Sequence, residues 1–342
     1  MLRSTFTSAT LFARMEHIDI FLIAGDVFDT QFATRDTLAM MKEEFLKCPD
    51  TRFIISPGNH DPYTPDSPWA KAQFPENVYI FSSPEITKFS FPELDTEVYG
   101  FAWIGEEMPV SPLTSLPVLD RSMTNILCIH ADTAGKEGKY FSLSEGVMAQ
   151  SGFDYIALGH IHNAPEDVSR VSDTYYSYSG CPEGRSFDEC GEKSVIIGEF
   201  EKNDGIFTPK FYKKPFTKRH FEIVNTDVTG SETTYDILKR INEAMEPDQN
   251  ASVRFCLTGK VSPSLILSRE AVKENIRGFA YVEIDDRTCP EYGVEALISD
   301  PGIRGEFYRI MLPLLSSEDD EERKNAEKAL KFGLAALDNA KN

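Results

Sequence analysis

The chain has 342 residues, 41% of them apolar and 26% charged, and a formal net charge of −20. At about 150 residues per domain this length predicts two domains, and the composition is that of an ordinary globular protein rather than a disordered or fibrous one. The excess of acid excludes a protein that coats nucleic acid with its whole surface, because phosphate contacts need Lys and Arg.

A dense basic cluster remains, Lys210, Lys213, Lys214, Lys218 and Arg219. It reads either as a solvated connection between domains or as a local DNA track. No apolar run approaches the ~18 residues of a membrane span, and Met1–Phe6 lacks the apolar stretch and cleavage site of a signal peptide. A cytoplasmic protein with no membrane partner is expected. None of the six cysteines forms a C-x-x-C pair, so reduced thiols are expected rather than a zinc site or a disulfide framework.

Residues 1–17 carry Leu2, Phe6, Ala9 and Ala13 near helical spacing and predict a helix. An apolar strand, 18–24, runs straight into Gly25-Asp26. A second helix over 34–47 leads to a strand, 52–56, which enters Gly58-Asn59-His60-Asp61. Short strands at 78–81, 86–91 and 97–102 follow, separated by Pro and Asp turns. The strand 125–129 then delivers His130, and the strand 153–158 delivers Gly159-His160-Ile161-His162. Further strands are expected at 175–179, 193–200 and 207–212.

Composition shifts after Pro215. Strands at 219–228, 252–259 and 278–284 alternate with helices at 233–245 and 268–275, which predicts a separate small α+β domain over 216–290. The segment 291–342 reads as helical, with Ser316 or Ser317 as the cap of the last helix and Glu318–Glu322 at its positive end.

Four apolar strands thus end in loops bearing Asp, Asn or His. In open α/β sheets ligands gather outside the carboxyl ends of the strands, so these loops should converge. Four of the six histidines lie there with Asp26 and Asn59. Imidazoles, a carboxylate and an amide oxygen form the donor set of a two-metal hydrolytic site for Mn, Fe, Zn or similar ions. Singly, each motif has a plainer explanation: Gly-Asp and Gly-Asn are common turns, and a lone histidine after a strand is usually just hydrogen-bonded. His160 and His162 would share a face if they continued the strand. All four motifs in order, each behind its own strand, leave coincidence little room.

Ala24-Gly25-Asp26-Val27-Phe28-Asp29, Gly58-Asn59-His60-Asp61, Ile129-His130 and Gly159-His160-Ile161-His162 resemble the calcineurin-like metallophosphoesterases. Within them the resemblance is to the DNA-repair exonuclease branch, the Mre11/SbcD-like and YhaO-like proteins. The stretch Tyr178-Ser179-Gly180-Cys181-Pro182-Glu183-Gly184-Arg185-Ser186-Phe187-Asp188-Glu189 favours the YhaO-like proteins. The resemblance implies a four-layer αββα sandwich over 1–215, a capping domain over 216–290 and a helical tail. It implies a pair of divalent metal ions, Mn foremost. Asp26 would bridge them, Asn59, His130 and His160 would complete one shell, and His162 would bind the other ion. His60 would act on the leaving oxygen as a general acid rather than as a ligand. Asp29 would lie near the substrate strand. Arg185 would either touch phosphate or make a structural ion pair. The implied substrate is DNA ends, and the implied partners are a second copy in a homodimer and an SMC-like ATPase of the Rad50/SbcC/YhaN type.

One departure stands out. The family opens with a strand ending in Asp-x-His, and this chain has no such motif. The ion at His162 would keep only Asp26 and His162, below the three protein ligands usual for a catalytic site. The strand at 18–24 would be left with an unpaired edge. A start placed about 25 residues late accounts for the pattern, since strand, motif and loop need roughly that length. Loss of activity in a genuinely short protein is the other reading. Either way, about one tightly held ion and little nuclease activity are expected of the chain as it stands. Phosphoesterases of nucleotides or other small phosphates share the site chemistry, and a regulatory binding module needs no second ion.

Overall fold

Three short apolar strands, Ile20–Ile23, Arg52–Ile55 and Val78–Ile80, pair in parallel in that order. Successive residues of a strand point to opposite faces, and the central strand shows both. Ile54 enters a core with Val98, Ile126, Cys128 and Tyr155. Phe53 and Ile55 enter another with Met41, Phe45 and Trp69, where the helices Leu2–Met15 and Arg35–Leu46 cover the sheet. The structure is a computed structural model and describes residues 2–28, 33–108, 111–114, 116–133, 142–262, 265, 267–291 and 293–339.

A six-stranded sheet faces the first. Its order is Thr87–Phe91, Thr96–Gly100, Thr124–His130, Tyr155–Gly159, Thr174–Tyr178 and Ser169–Val171. Every residue of Thr124–His130 is buried. Ile126 and Cys128 point into the core between the sheets, whereas Leu127 and Ile129 point outward to Met148 on the helix Glu145–Ser151. Burial on both faces is why these strands read as continuous apolar runs rather than alternating ones. The layers are helices, sheet, sheet, helix, the αββα sandwich that the motifs imply. Among the described residues Ile20–Ile23 is an edge strand of its sheet.

The antiparallel hairpin Ser194–Asn203 and Ile206–Pro215 packs through aromatic rings. Phe211 lies 5.2 Å from Tyr155, and Phe207 lies 6.0 Å from Tyr175, between centroids. Much of the basic cluster is engaged here. Lys213 Nζ donates to the Pro165 carbonyl, Lys214 sits 5.4 Å over the Phe12 ring, and the backbone N–H groups of Lys218 and Arg219 donate to the buried Glu183 carboxylate.

The chain divides into two compact units, Met1–His220 and Phe221–Asn342. In the second, Ala251–Thr258 pairs in parallel with Tyr281–Asp286 and is flanked on its other side by the strand beginning at His220. Val253, Phe255 and Leu257 are buried with Ile237 and Ile241 of the helix Thr234–Ala244 and with Val272 of the helix Arg269–Asn275. The helices Val294–Ser299, Ile303–Leu315 and Asp320–Asn339 meet at Leu297, Tyr308 and Leu334. Asp319 caps the last helix, not Ser316 or Ser317: its Oδ1 accepts from the N–H groups of Glu321 at 2.8 Å and Glu322 at 3.2 Å. Among the described residues no helix is long and apolar enough to cross a membrane.

The two sheets of the sandwich are stitched at the carboxyl ends of their parallel strands. Ser56 Oγ donates to the Phe101 carbonyl at 2.7 Å, and the Trp103 N–H donates to the Pro57 carbonyl at 3.2 Å. At Gly159 the fit admits no side chain, since a Cβ there would lie 1.8 Å from the Ala24 carbonyl oxygen. Gly159→Ala should therefore push the sheets apart at this edge and cost about 1–3 kcal/mol, the usual penalty of overpacking. Gly105, around which a Cβ would meet nothing within 4 Å, is the control, and Gly105→Ala should change stability by less than about 1 kcal/mol. Urea unfolding of both variants checks this; equal stabilities would remove the constraint placed on Gly159.

Candidate metal centre

The strand Ile20–Ile23 ends in a turn that puts Asp26 at φ 55°, in the left-handed region. A non-glycine residue rests there only when its surroundings hold it. Asp61 does the holding. Its Oδ1 accepts the N–H groups of Asp26 at 3.0 Å and Gly58 at 2.7 Å, and its Oδ2 accepts that of Val27 at 2.8 Å. Burial pushes the Asp61 carboxyl up to about 7, against the pull of those N–H groups. The turns interlock closely, since a Cβ on Gly58 would lie 2.2 Å from Asp26 Oδ1. That same oxygen accepts the His60 N–H at 2.9 Å.

His130 closes the strand Thr124–His130 and is fully buried. Its Nδ1 lies 2.8 Å from the Ala24 carbonyl oxygen. A carbonyl can only accept, so Nδ1 carries the proton and Nε2 faces inward. Around Nε2 stand Asn59 Oδ1 at 3.0 Å, Asp26 Oδ2 at 3.2 Å and His160 Nδ1 at 3.3 Å. The ligand atoms of Asp26, His130 and His160 all lie within 4.8 Å of one another.

These atoms are electron-rich, and they converge in a partly desolvated place. A metal cation among them would satisfy together the lone pairs that the Asn59 and Asp26 oxygens bring toward His130 Nε2. Burial tends to raise the Asp26 carboxyl, but His130 and the His60 N–H outweigh it and hold the group below its ordinary value, in its anionic form. Burial and the nearby His130 charge lower His160, which favours the neutral ring. A carboxylate, imidazole nitrogens and an amide oxygen fit a borderline divalent ion. The chemistry of the donor set therefore fits a metal.

Of the other residues singled out in the sequence, His60 is exposed beside Asp26 with its backbone in the cluster. His162 sits apart from the Asp26–His130–His160 group, its Nδ1 2.6 Å from Glu189 Oε1. Arg185 forms an ion pair with Glu189 at 3.2 Å, and about half of its side chain remains exposed. Asp29 lies outside the described residues. The strand argument for His160 and His162 does not hold, because the strand ends at Gly159 and His160 turns through φ 100°. The break lets His160 reach His130 while His162 turns toward Glu189.

Sequence reasoning gave no role to Asp61, although it closes the quoted Gly-Asn-His-Asp motif. Trp103, whose Nε1–H donates to the His130 carbonyl at 2.8 Å, and Tyr178, whose hydroxyl donates to the Ala131 carbonyl at 3.0 Å, also brace the loop and carried no signal.

Residues 5–164 match the calcineurin-like phosphoesterase family. Over 198 residues the chain is 30% identical to the uncharacterized metallophosphoesterase YhaO of Bacillus subtilis (strain 168), a match that takes in 55% of this chain. It spans 47% of that relative, about half its length. The αββα layers, the order of the strand-end motifs and the match over 5–164 agree, and the chain carries a domain of the calcineurin-like phosphoesterase family.

Proposed function

We propose that this chain is a metal-dependent phosphodiesterase that hydrolyses DNA, of the exonuclease and DNA-repair type, in the cytoplasm. The observation that carries the reading is the convergence of Asp26, Asn59 and His160 on His130 Nε2. Bound there, a pair of divalent ions, Mn foremost, supplies a polarised phosphate, an activated water and charge stabilisation of the leaving oxygen. Asp26 would be the carboxylate common to both ions, Asn59, His130 and His160 would hold one of them, and His162 would hold the other. His60, exposed at the rim with its backbone fixed on Asp26 Oδ1, donates a proton to the departing sugar oxygen. Arg185 keeps an exposed edge beside His162 for a substrate phosphate, and Asp29 completes the strand-binding side. The choice of DNA rests on the likeness of the Ser179–Glu189 stretch to the DNA-repair branch and on the added second unit. A homodimer and an SMC-like ATPase partner belong to the same reading.

A phosphoesterase for nucleotides or other small phosphates is the second reading. It is favoured by the net charge of −20 and by the local engagement of the Lys213 and Lys214 ammonium groups, which leaves less cation for a long phosphate backbone. End-labelled duplex DNA and mononucleotides, each incubated with Mn(II), separate the two. Release of nucleotides from DNA supports the first, and hydrolysis confined to mononucleotides moves the assignment to the second. A chain that binds no Mn(II) and hydrolyses neither would be a binding module.

Two variants probe the roles. Asp26→Asn should lower bound metal in elemental analysis, and in a chain supplied with the family's Asp-x-His strand it should also abolish Mn-dependent hydrolysis, because its carboxylate would be shared by both ions; activity at the native level would remove the bridging role. His60→Ala should keep its metal and lose about 10²–10⁴-fold in turnover, the usual worth of general acid catalysis. Metal loss as deep as in His160→Ala would make His60 a ligand instead.

A further inference from the structure

His162 is held by a residue to which no role has been given. Glu189 is buried, with 8% of its side chain exposed, and both of its carboxylate oxygens are occupied. Oε2 accepts the Arg185 backbone N–H at 2.8 Å. Oε1 lies 2.6 Å from His162 Nδ1 and 3.2 Å from a terminal nitrogen of the Arg185 guanidinium. That guanidinium nitrogen is itself 3.4 Å from His162 Nδ1, so two proton assignments compete. Either Nδ1 carries a proton and donates to Glu189, or it is bare and accepts from Arg185.

The distances decide. A bare nitrogen 2.6 Å from a buried carboxylate oxygen would set two lone pairs against each other. With the proton on Nδ1 the same separation is a short charge-assisted hydrogen bond. The guanidinium contact, at 3.4 Å, is beyond the normal hydrogen-bond range.

We propose that Glu189 is a positioning residue. It fixes His162 as the Nδ1–H tautomer and turns the bare Nε2 outward as a donor atom. The Ala24 carbonyl does the same for His130, so the two rings are preset by different acceptors, one backbone and one side chain. A carboxylate partner also makes the far nitrogen more basic, as in the carboxylate–histidine pairs of metal sites. What Nε2 binds rests on the metal reading above; the tautomer does not.

The test uses the full chain labelled with ¹⁵N-histidine. Long-range ¹H–¹⁵N correlation spectra, recorded above the pH range of imidazolium formation, read which ring nitrogen bears the proton. His162 is assigned by its disappearance in His162→Gln. The native chain should show Nδ1–H at His162. Glu189→Ala should shift the ring toward the Nε2–H form, while Glu189→Gln, whose amide oxygen can still accept, and Arg185→Ala should both keep Nδ1–H. Mn(II) calorimetry should show affinity about 10–100-fold weaker in Glu189→Ala, with partial rescue in Glu189→Gln. An Nε2–H ring in the native chain, or an unchanged tautomer in Glu189→Ala, overturns the proposal. If Glu189→Ala fails to fold, the native spectrum decides, and an Nε2–H ring there overturns it. A tautomer switch in a chain that binds no Mn(II) would sink the metal reading and leave the hold of Glu189 on His162 standing.

Discussion

The hydrogen bond from His130 Nδ1–H to the Ala24 carbonyl, 2.8 Å long, joins a side chain of the six-stranded sheet to the backbone of the three-stranded one. Its net worth to stability is modest, about 0.5–1.5 kcal/mol, but leaving either buried partner unpaired would cost roughly 1–3 kcal/mol. It also directs the chemistry, because a proton committed to Nδ1 leaves Nε2 for the centre. The packing around it is correspondingly close. A Cβ on Gly25 would lie 2.6 Å from Nδ1, and one on Gly159 would lie 2.9 Å from it. The glycines of two separate motifs thus share a requirement: the sheets must approach until a ring on one reaches a carbonyl on the other.

The centre that results is costly in isolation. Two of its members, Asp26 and His160, sit at positive φ, a conformation that costs of order 1–3 kcal/mol per residue unless its neighbours over-determine it. Electron-rich atoms of Asn59, Asp26 and His160 crowd one imidazole nitrogen. Asp61 offsets part of this by taking three backbone N–H groups from the two turns. The rest comes from the apolar layers behind the strand ends, where Ile54, Cys128 and Leu127 are fully buried. A rigid two-sheet core can hold a strained polar edge that loops alone could not.

A second buried carboxylate does similar work away from the centre. Glu183 accepts from Thr5 Oγ1 on the first helix and from the backbone N–H groups of Lys218 and Arg219 after the hairpin. The segment that ends the first unit is thus tied to the helix that begins it, and part of the basic cluster is fixed through its backbone rather than through its charges. In a chain of net charge −20, the positive groups that matter are the few held in place, such as Lys202, whose ammonium meets Asp154 at 2.6 Å with both side chains nearly buried.

The amino-acid sequence by itself determined the strands, the order of the motifs behind them and the donor types that meet. Continuous apolar runs have to be buried on both faces, and polar residues that end such runs have to emerge at the sheet edge. Asp26, Asn59, His130 and His160 were legible for that reason. Tertiary structure decided what each ring nitrogen faces, and so which histidines act together. His160 joins His130 only because the strand breaks at Gly159, and no periodicity foretells a φ of 100°. Asp61 and Glu189 lie in stretches the sequence marks, yet their hold on Asp26 and His162 exists only once distant segments are folded against them. A hydrogen-bond partner is set by distance and direction in space, and neither is a property of spacing along the chain.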